Sequence, residues 1–146
     1  MTTKVRSLQY DLDRGLARVL LVDDDPASRL TLKTVLEAGG YHVDCAASAA
    51  EAVGKLDDGE YELVLSDLQM ESPEAGLRVI AHARIMDYKP ATALITTYKN
   101  DLMAAGAGSM LIEPEAVPEL LGQVASLIGA RASRRIEREL RLAHVS

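Results

Sequence analysis

Short apolar runs alternate with amphipathic segments along most of the chain. The run Val19–Val22 is continuously apolar and leads directly into three aspartates. This pattern is typical of a strand that is buried on both faces of a parallel sheet. Four later segments also have strand character, although the second is half polar: Tyr41–Ala46, Tyr61–Ser66, Ala91–Thr97 and Gly108–Ile112. The pattern therefore predicts five strands.

Helix signals follow the first two strands. Asp25 and Pro26 suit the N-cap and the first helical position, and Gly39 with Gly40 ends the helix. Ser48 with Glu51 three residues later forms a capping box for a second helix through about Leu56. The apolar positions of the first of these helices are Leu30, Leu32, Val35 and Leu36, and a turn at Asp57, Asp58 and Gly59 follows the second.

Three further helices are predicted between and after the remaining strands. One carries Leu77, Ile80, Ala81 and Ile85 on one side. A short one spans Leu102–Ala105, and the last begins near Glu115 with an apolar stripe of Leu120, Leu121, Val124, Leu127 and Ile128. Alternating strands and helices with right-handed crossovers predict an α/β fold built on a doubly wound five-stranded parallel sheet.

Both ends of the chain differ from this regular pattern. Residues 1–17 mix charges with scattered apolar positions and are interpreted as an N-terminal extension to a domain that spans residues 18–128. Residues 129–146 form an arginine-rich tail in which Ile136 and Leu140 lie four positions apart. This tail could extend the last helix and pair with a second copy of the chain or with a partner, or it could be a frayed, solvated end.

Composition narrows the class of protein. The 146 residues contain no Phe, no Trp and a single cysteine, Cys45, so an internal disulfide and a cysteine-rich zinc site are excluded and Cys45 is expected in the core. A membrane span and a leader segment are not expected, because no charge-free run approaches about 18 residues and no basic stretch leads into an apolar one. We therefore expect a cytoplasmic protein.

Charge is unevenly distributed. The net charge is −6, but residues 129–146 carry five arginines against two glutamates, so the rest of the chain carries −9. Because duplex binding depends on neutralising phosphates, this acidity argues against nucleic acid as the main partner, and the tail lacks aromatics and a second helix for reading bases. A cation is the better candidate for a ligand.

Acidic residues follow two of the predicted strands. Asp23 and Asp24 follow the first strand, Asp67 follows the third, and Thr96 and Thr97 close the fourth. Ligands of such sheets bind outside the carboxyl ends of the strands, where converging carboxylates suit Mg²⁺. A carboxylate beside such a metal can act as a nucleophile toward a phosphoryl donor. The alternative is that the first aspartates are only solvated neighbours of the Asp25 cap.

These residues stand in segments that resemble the receiver domain of two-component response regulators. The segments are VLLVDDDP at 19–26, LVLSDLQM at 63–70, LITTY at 94–98 and GAGSMLIEP at 106–114, and the resemblance covers about Arg18 to Ile128. It implies a flavodoxin-like (βα)5 fold. It also implies a sensor histidine kinase or phosphotransfer protein as phosphoryl donor and a downstream protein as the target.

The resemblance assigns roles to individual residues. Asp67 would accept the phosphoryl group as an acyl phosphate, and Thr96 would hydrogen-bond to a phosphoryl oxygen. Asp24 and Asp67 would bind Mg²⁺ directly, with the Gln69 backbone carbonyl as a further ligand, and Asp23 would act through water. Any catalysis would be limited to Mg²⁺-dependent autophosphorylation and autodephosphorylation at Asp67.

The chain departs from the family pattern at four points. Glu113 precedes Pro114 at the position of the lysine that normally pairs with the nucleophile and the phosphoryl group. Met110 occupies the aromatic switch position, and the segment between Thr96 and Gly106 is several residues shorter than usual. The loop after Asp67 also lacks the usual Met-Pro step. At 4 Å, a charge reversal such as that at Glu113 replaces one attraction by one repulsion, each about 4 kcal/mol at an effective dielectric constant near 20.

Two hypotheses follow from these departures. In one, Asp67 is phosphorylated and Lys99 supplies the missing cation. In the other, the chain is a degenerate pseudo-receiver that acts as a phosphorylation-independent interaction or dimerisation module. A phosphatase of the haloacid-dehalogenase type is a distant third, because it requires an acid two residues after Asp67, where this chain has Gln69.

Overall fold

The structure of the protein is a computed structural model that describes residues 17–68, 70–95, 110–112 and 117–145. Strands and helices alternate along it in the predicted manner. The strands are β1 (Arg18–Val22), β2 (His42–Ala46), β3 (Leu63–Asp67), β4 (Ala91–Ile95) and β5 (Met110–Ile112). The helices are α1 (Pro26–Ala38), α2 (Ala49–Asp58), α3 (Ala75–Arg84) and α4 (Val117–Val145).

The strands form one parallel sheet in the order β2-β1-β3-β4-β5. The order reverses at β1, whose neighbours are β2 and β3. This is the flavodoxin-like doubly wound arrangement, and it places a topological switch point between β1 and β3. The predicted α/β fold class is confirmed.

The two faces of the sheet carry separate apolar cores. Val19 and Leu21 of β1 pack with Leu36 of α1 and Val124 of α4, whereas Leu20 and Val22 pack toward α2 and α3. All four of these β1 side chains are fully buried, as expected for a central parallel strand. With no Phe or Trp in the chain, the largest fully buried side chains are leucines and valines.

Both predicted caps are present. The Asp25 carboxylate accepts a hydrogen bond from the Ser28 backbone N–H at 3.1 Å, and Pro26 is the first residue of α1. At α2, the Ser48 hydroxyl accepts from the Glu51 N–H at 3.1 Å, while the Glu51 carboxylate accepts from the Ala47 N–H at 2.7 Å. Local hydrogen bonds therefore set the starts of both helices.

Some predicted boundaries and faces were wrong. Strands β2 and β3 begin one and two residues later than predicted, and β3 includes Asp67. The predicted turn at Asp57 and Asp58 is instead the last part of α2. Leu30 is 65% exposed, because Leu32 and Leu36 already define the inner face of α1 and Leu30 lies about 200° from Leu32 around a helix with 3.6 residues per turn.

The inner face of α3 also differs from the prediction. Ala81 and Ile85 are exposed, and Ile85 lies just beyond the last helical residue. Ile80 is buried as predicted, and Leu77 is half-buried against the same cluster. The other residues of the face that packs on the sheet are Ala75, Gly76, Val79 and Ala83. The prediction missed these four positions because three of them are small residues, which carry little hydrophobic signal but allow the helix to approach the strands closely.

Several predicted features lie outside the described residues. These are the short helix Leu102–Ala105, the last two positions of the predicted fourth strand, the first two of the predicted fifth strand and the start of the last helix near Glu115. The N-terminal extension up to residue 16 is also outside them.

Helix α4 continues through the arginine-rich segment to Val145. Leu120 and Val124 are buried against the sheet, whereas Ile136 is 58% exposed and Leu140 is 63% exposed. The Arg131 guanidinium donates hydrogen bonds to the backbone carbonyls of Tyr88 at 2.7 Å and Lys89 at 3.0 Å, which lie between α3 and β4.

Although α4 has 29 residues, neither it nor any other helix in the described parts of the chain is apolar enough over a sufficient length to cross a membrane.

Candidate functional site

Three carboxylates converge at the carboxyl ends of β1 and β3. One oxygen from each of Asp23, Asp24 and Asp67 lies within 4.8 Å of the other two. Asp23 is buried, Asp67 is half-buried and Asp24 is exposed. The sequence predicted this grouping, and the structure brings these three side chains together.

The register of the sheet accounts for this convergence. Val22 pairs with Ser66 in the parallel ladder between β1 and β3, so the next residues along the two strands are Asp23 and Asp67. Neighbouring strands lie about 4.8 Å apart. Two acids that follow a paired position on adjacent parallel strands must therefore be close, and Asp24 joins them from the turn into α1.

Asp23 is held by its backbone as well as by burial. Its N–H donates to the Ala46 carbonyl at 3.0 Å, and its own carbonyl accepts from the Arg29 guanidinium at 2.7 Å. The Asp23 carboxylate accepts a hydrogen bond from the Asp25 N–H at 3.0 Å. Arg29 was not predicted as a site residue. The sequence does not distinguish an exposed helix arginine from one whose side chain hydrogen-bonds to the end of a strand.

Burial raises the pKa of the Asp23 carboxyl above its usual value. The charges of Asp24 and Asp25 act in the same direction, while hydrogen bonds from the Asp25 N–H and with the Asp67 side chain act against it. Negative charge at this position is thus costly unless a cation compensates it.

Gly76 fixes the distance between α3 and the end of β3. A Cβ atom at this position would lie 2.3 Å from the Asp67 carbonyl oxygen and 2.9 Å from that of Leu68. Both are backbone atoms that cannot rotate away. Only glycine therefore lets α3 start this close to Asp67, a constraint that sequence reasoning missed because a single glycine after a loop has many ordinary explanations.

The loop after β3 is attached to α2 by Glu71. The Glu71 carboxylate accepts a hydrogen bond from the Ala49 N–H at 3.0 Å, which satisfies one of the unpaired donors at the start of α2. The sequence offered one indirect signal, since the Ser48 and Glu51 capping box leaves this donor without a local acceptor.

The donor set fits a hard divalent cation. Mg²⁺ prefers carboxylate oxygens and water, with octahedral bonds of 2.0–2.1 Å that place ligand oxygens about 2.9 to 4.1 Å apart. Three carboxylate oxygens within 4.8 Å of one another need only small side-chain adjustments to reach that spacing. The arrangement can also offer the Asp67 carboxylate to an electrophile beside such a cation.

Four predicted site residues lie outside the described residues: Gln69, Thr96, Lys99 and Glu113. Their assignments stay predictions. The backbone of Met110 belongs to β5, while its side chain is also outside the described part.

A doubly wound parallel sheet with acids at the switch point between β1 and β3 is typical of α/β domains that bind a ligand at the carboxyl ends of their strands. A family model described as the response regulator receiver domain matches residues 19–125. The chain therefore belongs to the response regulator receiver family.

Individual relatives agree with this assignment. The chain is 28% identical to the transcriptional regulatory protein TrcR of Mycobacterium tuberculosis, over 86% of this chain and 50% of TrcR. It is 33% identical to a gliding motility regulatory protein of Myxococcus xanthus, over 73% of this chain but 14% of that protein. The chain thus spans half or less of the length of these two relatives.

A solved structure agrees with this assignment in fold and sequence. The response regulator TrrA of Thermotoga maritima, solved in complex with Mg²⁺ and BeF, is 32% identical and superposes with a TM-score of 0.67. The match covers 77% of this chain and 99% of TrrA. The expected fold and family are both confirmed by these comparisons.

Replacing Gly76 by alanine should destabilise the protein. The added Cβ must displace the Asp67 or Leu68 backbone, and overpacking of this kind costs about 1–3 kcal/mol in the free energy of unfolding. The measurement is urea unfolding followed by circular dichroism, since the chain has no Trp. Gly54→Ala in α2 is the matched control: no atom lies within 4 Å of its added Cβ, so we expect a gain of up to about 1 kcal/mol. Equal effects of the two substitutions would contradict the proposed packing role.

Replacing Asp23 by asparagine should stabilise the protein in EDTA. The amide oxygen can keep the hydrogen bond from the Asp25 N–H, while one of three mutually repelling charges is removed. We expect the free energy of unfolding to rise by about 1 kcal/mol, which is the repulsion between two unit charges about 4 Å apart at a water-like dielectric constant. Asp58→Asn, at an exposed position in α2, should change it by less than about 0.5 kcal/mol. A loss of stability in Asp23→Asn would argue against repulsion within the cluster.

Proposed function

We propose that this receiver domain accepts a phosphoryl group on Asp67 and signals through protein contacts. The observation that carries the proposal is the convergence of Asp23, Asp24 and Asp67 within 4.8 Å at the switch point of the sheet. Mg²⁺ held by Asp24 and Asp67, with Asp23 acting through water, would shield the negative charge that builds up during transfer. The donor would be a sensor histidine kinase or a phosphotransfer protein in the cytoplasm.

The pairing of β3, β4 and β5 supports the assignments of Thr96 and Glu113. Asp67 pairs with Ile95 on β4, and Ile95 pairs with Ile112 on β5. Thr96 and Glu113 are the residues that follow these two isoleucines in the sequence. Their assignment to the same edge as Asp67 rests on this register and on the family resemblance.

A second candidate function rests on Glu113. A negative charge at the position of the family's lysine weakens both the binding of a phosphoryl group and its stabilisation after transfer. In this alternative the chain is a pseudo-receiver that works as an interaction or dimerisation module. The acidic cluster would then bind a cation without a phosphoryl group.

Asp67→Asn separates the two functions. The protein is incubated with acetyl phosphate and Mg²⁺ and then run on a phosphate-affinity gel, where a retarded band is expected for the natural chain and none for the variant. Asp58→Asn, which removes an exposed carboxylate on α2, should leave the retarded band intact. If the natural chain gives no retarded band at any Mg²⁺ concentration, the phosphoacceptor function is wrong and the pseudo-receiver remains.

Glu113→Lys should increase the initial rate of phosphorylation by about tenfold. The substitution replaces a repulsion by an attraction, and a tenfold change requires only about 1.4 kcal/mol of the interaction expected for charges near the phosphoryl group. The rate is measured with acetyl phosphate by the same gel. An unchanged rate would mean that Glu113 does not face the site.

Lys99→Gln should slow the reaction if Lys99 supplies the cation in the natural chain.

A further inference from the structure

A cluster of cationic side chains lines a cleft near the amino-terminal ends of the strands, opposite the end that carries the acidic site. The cleft lies between the segment that joins α3 to β4 and the part of α4 beyond the matched domain, and its volume is about 370 Å³. We call it the arginine cleft; its lining residues are Asp87, Tyr88, Lys89, Arg131, Arg134, Arg135 and Arg138.

Arg131 builds the cleft by attaching α4 to this segment. Its guanidinium donates to the carbonyls of Tyr88 at 2.7 Å and Lys89 at 3.0 Å, across more than forty residues of sequence. Burial lowers the pKa of Arg131; the charges of Arg135 and Arg134 also lower it, while those of Glu62 and Glu60 raise it. These two hydrogen bonds fix the orientation of α4 relative to the segment between α3 and β4.

The lining carries an excess of positive charge. Five cationic side chains face one carboxylate, Asp87, in a chain whose net charge is −6. Glu139 lies 4.0 Å from Arg135, and both side chains are well exposed, so this ion pair neutralises little of the charge. Three other glutamates are near the arginines but do not line the cleft: Glu60 and Glu62, whose charges act on Arg131, and the exposed Glu137, which shares a neighbouring surface with Arg134 and Arg138. Arg134 and Arg138 are also exposed, one helical turn apart.

Lys89 has an unusual backbone for its residue type. Its φ angle is 44°, in the left-handed region, and the next residue is Pro90, which favours an extended conformation before it. Hydrogen bonds hold it there: its N–H donates to the Met86 carbonyl at 3.0 Å, and its ammonium donates to the Arg84 carbonyl at 3.0 Å. Strained residues persist where surrounding contacts determine them, and they are common at binding sites.

We propose that the arginine cleft binds a small phosphate-bearing anion. Guanidinium groups present planar pairs of donors that match phosphate oxygens, and several of them together favour an anion with more than one charge. The volume suits a small ligand. A nucleic acid duplex fits less well, because it would extend over the acidic remainder of the chain.

Inorganic pyrophosphate is the probe for this proposal. The full chain, labelled with ¹⁵N and kept in EDTA at low ionic strength, is titrated while backbone amide shifts are followed by NMR. We expect saturable shifts centred on Tyr88, Lys89 and residues 131–138, with a Kd below about 1 mM. Orthophosphate should bind more weakly than pyrophosphate because it carries less charge.

Two charge-matched double variants make the test specific. Arg134→Gln with Arg138→Gln removes two exposed cations from the cleft and should weaken pyrophosphate binding by at least about tenfold, while glutamine keeps a similar helix propensity. Lys33→Gln with Arg78→Gln removes two cations from α1 and α3 and should change the Kd by less than about twofold.

Three results would overturn the proposal. One is equal weakening by the two double variants, which would indicate attraction to overall charge alone. Another is an absence of saturation, or shifts centred on residues outside the cleft. The third is binding of succinate as tight as that of pyrophosphate, which would assign the cleft to carboxylates instead of phosphates.

Discussion

The pairing of β1 with β3 is the constraint on which the rest of the site depends. Because Val22 pairs with Ser66, a buried apolar ladder brings Asp23 and Asp67 to adjacent positions. The apolar burial of the two strands, at about 25 cal/mol per Å², favours a contact that the carboxylates themselves oppose. The three carboxylates repel one another, and the burial of the apolar side chains of β1 and β3 stabilises the arrangement that keeps them together.

The core reaches this arrangement through small side chains as well as large ones. Ala75, Gly76 and Ala83 let α3 lie close to the sheet, and Gly76 meets the Asp67 carbonyl directly. A larger residue at position 76 would separate the helix from the strand end. The absence of Phe and Trp is consistent with such a core, in which leucine and valine fill the volume and alanine and glycine set the distances.

The sequence allowed the fold and the acidic triad to be predicted because both depend on local patterns. Buried strands are continuous apolar runs, and the acids follow them directly. The inner face of α3 was predicted only in part, with Ile80 correct, because alanine and glycine carry little hydrophobic signal. The contacts of Gly76 and Arg131 could not be predicted, since each depends on the distance between elements that are far apart in sequence.

The acidic cluster and the arginine cleft lie at opposite ends of the strands and carry opposite charge. A strand of five residues is about 16 Å long, while the screening length at physiological ionic strength is about 8 Å, so direct electrostatic coupling between the two ends is weak. Helix α3 connects them mechanically: Gly76 in its first turn contacts the Asp67 carbonyl, and the carbonyl of its last residue, Arg84, binds the Lys89 ammonium. A displacement of α3 would therefore move groups at both ends of the strands, whereas charge alone does not act effectively over that distance.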